Sequence, residues 1–223
     1  MGEAQIAALI FDMDGLLVDS EDLAAGALAQ FLQNHGVVMV EGTMEQTLGR
    51  RLPEAIEIVA EYYELPGDRA QLTAEYEQLR LEAIRGRVNP MEGAAEILAW
   101  GREVGLRIAL ATSSQRTHAM ESLAHTGLLG MFDAEVTGEL VTKGKPDPQM
   151  FLRAAEELGV PPANAVVLED APAGLQAAFA AGMRSIWVPN RRTQSLDPKT
   201  TVTYRASSLI TARTWLATQS LAT

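Results

Sequence analysis

The sequence predicts an α/β fold, in which a doubly wound parallel sheet carries a helical segment inserted after its first strand. Short apolar runs rich in β-branched residues alternate with helical patterns over most of the chain, as is typical of a parallel sheet with helices on both faces. Between residues 21 and 87, by contrast, no strand pattern occurs. We therefore expect a core domain formed by residues 1–19 and 89–223, and a helical domain formed by residues 20–88.

Five apolar runs have the length and composition of buried strands. Each is short and bounded by residues that favour turns or helix ends, as expected for strands of a parallel sheet. Their regular recurrence along the chain also favours strand–helix–strand units over an all-β fold. The predicted strands are residues 7–11, 107–111, 134–136, 165–168 and 185–188.

Helical patterns lie between these strands and fill the inserted segment. Glycines directly follow three of the core helices, at the position where a left-handed residue commonly ends a helix. One long polar segment, residues 190–201, has neither pattern, and we expect it to be a mobile loop. The predicted core helices are residues 93–104, 115–126, 148–158 and 173–181, and the predicted inserted helices are residues 22–35, 44–48, 53–64 and 69–85.

The composition excludes several classes of protein. A net charge of −11 disfavours binding to nucleic acid or to an anionic membrane surface. The absence of cysteine excludes disulfides, a thiol nucleophile and thiolate metal sites. Neither a signal-peptide pattern nor an apolar stretch of about 20 residues is present, so we expect a soluble cytoplasmic protein.

The first polar motif, FDMDGLLVDSE, begins at the end of the first predicted strand. Asp12 stands directly behind the buried run, Asp14 lies two residues further on, and Gly15 follows. A turn explains one aspartate and the glycine, but it does not explain Asp12 behind a buried strand. Two carboxylates this close raise each other's pKa, so we expect a cation or a reaction to require them.

A second polar motif follows the predicted strand 107–111. Thr112, Ser113 and Ser114 offer hydroxyl groups and backbone N–H groups at the start of a predicted helix, which is an arrangement that suits an anion. An ordinary helix cap by Ser or Thr is the alternative explanation. Because ligands of open α/β sheets bind at the carboxyl ends of the strands, we expect this motif to lie near Asp12.

Two more motifs complete the set. KGKPDP, residues 143–148, contains two of the chain's three lysines, among them Lys145, although a solvated charge pair on a loop would explain it equally. VVLEDAPAG, residues 166–174, places Glu169 and Asp170 at the tip of a predicted strand, where Asp170 also suits a helix cap. Both motifs are expected at the same edge of the sheet as Asp12.

Together, the four motifs supply what a metal ion and a phosphoryl group require. Carboxylate oxygens are the ligands that Mg²⁺ prefers, while a lysine and a hydroxyl group can neutralise and bind phosphate oxygens. A carboxylate can also attack phosphorus in line. The candidate metal ligands are Asp12, Asp14, Glu169 and Asp170, and the candidate phosphate-binding groups are Thr112 and Lys145.

In order and spacing, the four motifs resemble those of the haloacid dehalogenase superfamily of phosphohydrolases. They are FDMDGLLVDSE, IALATSS, KGKPDP and VVLEDAPAG. The chain is most similar to the β-phosphoglucomutase-like subgroup, which includes sugar-phosphate and pseudouridine-phosphate phosphatases. The resemblance implies a Rossmann-like core and identifies the helical insertion as the family's α-helical cap, with hinges at residues 16–20 and 88–90.

The resemblance also implies catalytic roles. Asp12 would be the nucleophile that forms an aspartyl-phosphate, and Asp14 would protonate the leaving oxygen and later activate water. Thr112, together with the backbone N–H of Ser113, would bind the phosphoryl oxygens. Lys145 would neutralise the nucleophile and the phosphate.

The metal site follows from the same resemblance. Mg²⁺ would be held by Asp12, by Asp170 and by the backbone carbonyl of Asp14. Glu169 would act on the metal or steady Lys145, and the sequence leaves open whether Glu169 touches the metal directly or through water.

Single positions distinguish this chain from other members of the superfamily. Asp14 disfavours the phosphonate-cleaving, dehalogenase and ATPase branches, which lack an aspartate there. Mutases need a cap histidine where this chain has Ala24, and a cap lysine, whereas residues 21–87 contain no lysine. We therefore expect a Mg²⁺-dependent phosphatase acting on a small phosphorylated metabolite, such as a sugar or nucleoside phosphate. A phosphomutase and a non-catalytic phospho-ligand binding module are the alternatives.

Specificity is expected to come from the cap and from residues beside the phosphate. Arg50 and Arg51 are the candidates in the cap, although a solvated helix start would explain these two arginines equally well. We expect His118 and His125 to be surface or packing residues, and the protein to be a monomer or a weak homodimer. The candidate substrate-binding residues are Arg50, Arg51, Ser113, Ser114, Gln115 and Arg116.

Overall fold

The structure, a computed structural model, describes residues 5–222; residues 1–4 and 223, which the predicted core domain includes, lie outside this range. The strands of the main sheet are β1 (Ala8–Phe11), β4 (Arg107–Ala111), β5 (Ala134–Val136), β6 (Ala165–Glu169), β7 (Arg184–Trp187) and β8 (Tyr204–Arg205). In the described part of the chain they form one parallel six-stranded sheet in the order β5-β4-β1-β6-β7-β8. The predicted doubly wound α/β core is confirmed.

Helices cover both faces of this sheet, because alternate strand residues point to opposite sides. In β1, Leu9 and Phe11 belong to one apolar cluster, whereas Ala8 and Ile10 belong to another. The first cluster is completed by α4 (Ala94–Glu103), α5 (Arg116–Thr126) and α8 (Leu209–Leu216), and the second by α6 (Gln149–Leu158) and α7 (Pro172–Ala180).

Three helices lie between β1 and the rest of the sheet: α1 (Glu21–Asn34), α2 (Leu52–Tyr62) and α3 (Arg69–Ile84). Their apolar side chains form a third cluster, which includes Phe31, Ile56 and Tyr76. The two connecting segments pair as short antiparallel strands, β2 (Val18–Asp19) and β3 (Asn89–Pro90). The division of the chain into domains at residues 20 and 88 stays a prediction.

The predicted strands and most predicted helices are present, with ends shifted by one or two residues. The predicted helix at residues 44–48 is wrong, because this segment forms turns. Gly42 and Gly49 flank it with positive φ angles, and the few residues between them cannot repay the cost of starting a helix. Strand β8 and helix α8 were not predicted. The signal for α8 is Ser208, whose Oγ caps the helix by accepting from the backbone N–H of Thr211.

The sheet order decides which polar residues meet. Strands β4, β1 and β6 are neighbours and run parallel, so the residues that follow them lie side by side at one edge of the sheet. These residues are Asp12 after β1, Thr112 after β4, and Asp170 after β6. Among residues 5–222, no helix has the length and apolar character needed to cross a membrane.

Candidate active site

Lys145 lies at the centre of the polar residues that the strand ends bring together. Its ammonium group donates to Asp12 Oδ1 at 2.5 Å, to Glu169 Oε1 at 2.8 Å and to the backbone carbonyl of Ala111 at 3.2 Å. The side chain is fully buried, with the aromatic ring of Phe151 4.9 Å from Nζ. Burial by itself lowers the pKa of Lys145, but Asp12 and Glu169 raise it above its usual value, so the lysine is charged.

Glu169 is held at both of its carboxylate oxygens. While Oε1 accepts from Lys145, Oε2 accepts from the backbone N–H of Ala171 at 2.7 Å. Gly174 provides the space for this side chain, since a Cβ on that residue would come 1.7 Å from Oε1. The glycine of the motif VVLEDAPAG is therefore required by close packing against Glu169, and the contacts of Glu169 orient Lys145.

Asp170 is buried beside this ion pair. Its Oδ2 accepts from the side-chain amide of Asn190 at 2.8 Å, and the same amide donates to the backbone carbonyl of Gly15 at 3.1 Å. Gly15 has a φ of 79°, and a Cβ there would lie 2.7 Å from the Asn190 amide nitrogen. The first motif thus needs a glycine after Asp14 for conformation and for space.

The carboxylates of this cluster outnumber its cations. Oxygens of Asp12, Glu169 and Asp170 lie within 4.8 Å of one another. Burial raises the pKa of Asp12 to about 7; Lys145 opposes the shift, while Glu169 and Asp14 add to it. Burial and the charges of Glu169 and Asp12 also raise the pKa of Asp170 well above its usual value. A divalent cation would relieve this repulsion, so the residues present fit a metal site.

Asp14 has a different environment, although it lies only two residues from Asp12. Its Oδ1 accepts from Ser20 Oγ at 2.6 Å, and its Oδ2 accepts from Ser114 Oγ at 2.7 Å. Burial alone raises the pKa of Asp14, but His118, Arg80 and Ser114 together lower it below its usual value. The two neighbouring aspartates therefore differ in acidity in the metal-free protein, where Asp14 is the stronger acid. A cation bound beside Asp12 would lower the pKa of Asp12 and so favour the ionised form that an attacking group needs.

The hydroxyl residues after β4 make contacts that differ from one another. Thr112 is buried, and its Oγ1 accepts from the backbone N–H of Ser114 at 3.1 Å. Ser113 Oγ donates to the carbonyl of Gly49, at the start of the segment that leads into α2. Ser114 Oγ donates to Asp14, which makes this serine a direct neighbour of the aspartate.

A cavity of about 80 Å³ joins these residues to the inserted helices. On the core side, it is lined by Asp12, Asp14, Asp170 and the three hydroxyl residues after β4. Residues of the insertion, within its helices and between them, close its other side, and both polar and apolar side chains contribute. The lining residues from the insertion include Ala24, Met44, Leu48, Arg50, Tyr76 and Arg80.

The predicted specificity residues fall into two groups. Arg50 lines the cavity and donates to the carbonyl of Gln46. Arg51 does not line it; its guanidinium instead binds Glu54 and the carbonyls of Gly138 and Val141. Gln115 precedes α5 and Arg116 pairs with Glu135 at the surface, so neither lines the cavity.

Sequence reasoning did not identify three residues that contact the site. Arg80 donates to Ser114 Oγ at 3.1 Å, Asn190 binds Asp170, and the buried His118 lies 3.5 Å from Asp14. His118 thus contacts an acidic residue of the site, whereas His125 is exposed as expected. Arg80 lies in α3 and Asn190 lies in a loop, both outside the four motifs, so no pattern in the sequence indicates their contacts.

Two named proteins are similar in sequence to this chain over most of its length. The chain is 35% identical over 197 residues to hexitol phosphatase B of Escherichia coli, which covers 87% of this chain and 88% of that protein. It is 31% identical over 180 residues to the phosphorylated carbohydrates phosphatase of Thermotoga maritima, covering 81% of this chain and 83% of the relative.

A solved structure supports the fold independently. The β-phosphoglucomutase of Clostridium difficile superposes with a TM-score of 0.81 at 23% identity and covers 92% of both chains. The profile of the haloacid dehalogenase-like hydrolases matches residues 9–188, the part of the chain that runs from β1 to just beyond β7. The chain therefore belongs to the family of haloacid dehalogenase-like hydrolases.

Proposed function

We propose that the protein is a phosphatase that hydrolyses a small phosphorylated metabolite through an aspartyl-phosphate on Asp12. The observation that carries the proposal is the paired environment of the two aspartates. Asp12 is held by Lys145 at the floor of the cavity, while Asp14 is held by hydroxyl groups beside it. The names of the two relatives, both phosphatases, support the same reaction.

In this proposal, a carboxylate oxygen of Asp12 attacks phosphorus, and the bond from phosphorus to the leaving oxygen breaks. The negative charge of a bound phosphoryl group would raise the pKa of Asp14, so that Asp14 carries a proton in the complex with substrate. Asp14 gives this proton to the leaving oxygen, then takes one from the water that cleaves the aspartyl-phosphate. Lys145 stabilises the ionised form of Asp12 through its 2.5 Å contact. Thr112 and the backbone N–H of Ser113 would bind the phosphoryl oxygens, because both residues line the cavity next to Asp12.

We propose Mg²⁺ as the metal, because the available donors are oxygens. Asp12, Asp170 and the backbone carbonyl of Asp14 would hold it, and Glu169 would act by orienting Lys145, since both of its oxygens are already bonded. The ion would supply positive charge to the phosphoryl oxygens.

The inserted helices are proposed to form a cap, residues 20–88, that covers the leaving group. The polar side chains of the insertion that reach the cavity include Glu21, Thr47, Arg50 and Arg80. The position where a mutase would need a histidine is occupied by Ala24, which lines the cavity, so no side chain there can activate a second sugar hydroxyl. Water is therefore the proposed phosphoryl acceptor, and a sugar or nucleoside phosphate is the proposed substrate.

The remaining properties are proposals from the sequence. A net charge of −11 argues against nucleic acid or an anionic membrane as a partner. A cytoplasmic location and a monomer or weak homodimer stay predictions, which cell fractionation and sedimentation would test.

The test is release of inorganic phosphate from a panel of phosphorylated sugars, polyols and nucleosides, with and without Mg²⁺. We expect turnover of one or a few compounds only with metal, and loss of at least about a thousandfold in Asp12→Asn. Asp19→Asn is the matched control, because it removes an exposed aspartate from the same segment. Full turnover by Asp12→Asn would refute the mechanism, and conversion between positional isomers without phosphate release would favour a mutase.

A further inference from the structure

His118 is an unusual residue for the first turn of a core helix. It lies in α5, and only 1% of its surface is exposed. Among the described residues, neither ring nitrogen has a partner at normal hydrogen-bond geometry. The nearest ionic group is the carboxylate of Asp14, whose Oδ1 lies 3.5 Å from His118 Nε2. A buried imidazole without a close partner is costly, so its position beside Asp14 calls for an explanation.

The other contacts of Asp14 show what the histidine adds. Ser20 belongs to the segment that leads into α1, and Ser114 is itself bonded to Arg80 of α3. Ser20 thus belongs to the link to the insertion, whereas Ser114 follows β4 of the core and shares its hydroxyl with Arg80 of the insertion. His118, by contrast, stands on α5, a helix packed in the core cluster under the sheet. The contact between His118 and Asp14 involves no side chain of the insertion.

We propose that His118 is a positioning residue for Asp14, which donates from Nε2–H to Asp14 Oδ1 and keeps the carboxylate aimed at the leaving oxygen. The inference rests on the proposed function. It adds a residue outside the four motifs to the machinery of proton transfer. A donor fixed to the core would hold Asp14 in place while the inserted helices move to admit substrate and release product.

This role makes a prediction that a purely structural role does not make. The need for a proton on the leaving oxygen grows with the basicity of the leaving group. Loss of the orientation of Asp14 should therefore slow the transfer of phosphate from a basic alcohol or phenol more than from an acidic one. The ratio kcat/KM isolates this step, because it reports only the steps up to release of the leaving group.

The experiment compares phenyl phosphate with 4-nitrophenyl phosphate, two esters of similar size whose leaving groups differ in basicity. His118→Leu removes the donor, and His118→Gln keeps an amide N–H at a similar reach. We expect His118→Leu to lose at least about tenfold more kcat/KM on phenyl phosphate than on 4-nitrophenyl phosphate, a modest share of what general acid catalysis contributes. His118→Gln should restore most of that difference.

The controls separate this proposal from its alternatives. His125→Leu makes the same chemical change at an exposed position of the same helix, and it should leave both rates unchanged. If thermal unfolding shows that His118→Leu does not fold, His118→Asn replaces it, since its shorter amide cannot reach Asp14. Equal losses on both esters, no loss at all, or failure of His118→Gln to restore the difference would each overturn the positioning role.

The failure of the proposed function would look different. In that case, the wild type would release phosphate neither from any compound of the panel nor from either ester, or Asp12→Asn would remain active, and the inference about His118 would fall with it. Wild-type turnover that depends on Asp12 but shows no selective effect at His118 would leave the proposed function standing and remove only the inference.

Discussion

Two regions of the molecule surround the same cavity but are built differently. The floor is formed where strands end, and Asp12, Glu169, Asp170 and Lys145 are all buried there, with Lys145 bonded to two of the three carboxylates. The contact between the inserted helices and the core includes half-buried side chains that reach backbone groups. Arg51 bonds the carbonyl of Val141.

Glu54 shows how close these two regions come. Its Oε1 accepts from the backbone N–H of Gly144, the residue directly before Lys145, and from Arg51. A Cβ at Gly144 would lie 2.3 Å from the Glu54 carboxylate, so a side chain at this position would displace Glu54 from its contact with the loop. The buried ion pairs of the floor are suited to holding catalytic groups in fixed positions. The solvent-accessible bonds of Arg51 and Glu54 are suited to forming and breaking as substrate enters and leaves.

The largest effect is expected from removing the cation of the floor. Lys145→Met leaves Asp12 and Glu169 buried without their shared partner, so it should lower kcat by at least about a thousandfold. It should also reduce the free energy of unfolding by about 3–5 kcal/mol, as breaking a buried ion pair does. Phosphate release and denaturant unfolding would measure the two effects.

Lys143→Met provides the matched control for that variant. It removes an exposed lysine two residues away on the same loop. We expect activity close to wild type and a change in stability below about 0.5 kcal/mol. If both lysine variants had equal activity, the account of the floor would be wrong.

A smaller effect is expected at the contact between the insertion and the core. Glu54→Ala removes the acceptor for Gly144 N–H and frees Arg51, so it should weaken docking of α2 on the loop of Lys145. We expect kcat/KM to fall by about three- to tenfold, equivalent to roughly 1 kcal/mol, with little change in overall stability. Glu57→Ala on the same helix, whose partner Arg69 also lies in the insertion, should leave kcat/KM unchanged.

These two predictions also show how far the sequence determines the site. The strand ends are predictable because apolar runs of this length form parallel strands, and parallel strands gather their carboxyl ends at one edge. For that reason Asp12, Thr112, Glu169 and Asp170 were placed together correctly. Arg51 was predicted to contact substrate, which stays a prediction. The sequence did not indicate that its guanidinium also bonds backbone carbonyls of the core, since the docking of two surfaces decides where an arginine finds its partners.

In the fold as well, features set by neighbouring residues were predictable, whereas features set by contacts between distant segments were not. The buried strands and core helices follow from periodicity, which acts over neighbouring residues. The short strand β8 gains its pairing from β7, and the segment at 44–48 is prevented from forming a helix by the glycines around it. Likewise, the contact of His118 with Asp14 depends on how α5 packs beneath the sheet, which no local pattern indicates.

The smallest effect concerns the stability of the metal-free protein. The pKa of Asp170 is raised in the folded state, so its protonated form is favoured there, and the stability that this provides at acid pH is lost as pH rises through the folded pKa. Asp170→Asn should therefore raise the Tm of the metal-free protein above neutral pH by a few degrees, roughly 1 kcal/mol, and leave it unchanged in acid. Thermal unfolding across pH would measure this.

Glu45→Gln is the control for that prediction, because it removes one negative charge from an exposed position. Its Tm should follow the wild type at every pH. Mg²⁺ should stabilise the wild type and Glu45→Gln but have little effect on Asp170→Asn. A metal-free Asp170→Asn protein less stable than the wild type at alkaline pH would contradict the charge imbalance in the floor.

The most direct test of the central claim is to trap the covalent intermediate. Wild-type protein would be mixed with a substrate from the phosphate-release panel, quenched in acid within milliseconds, digested and analysed by mass spectrometry, with Asp12→Asn treated in parallel. We predict a phosphoryl group on the peptide that contains Asp12, at the carboxylate next to Lys145, and none in the variant. Turnover without phosphorylation at Asp12, or phosphorylation of another residue, would contradict the account.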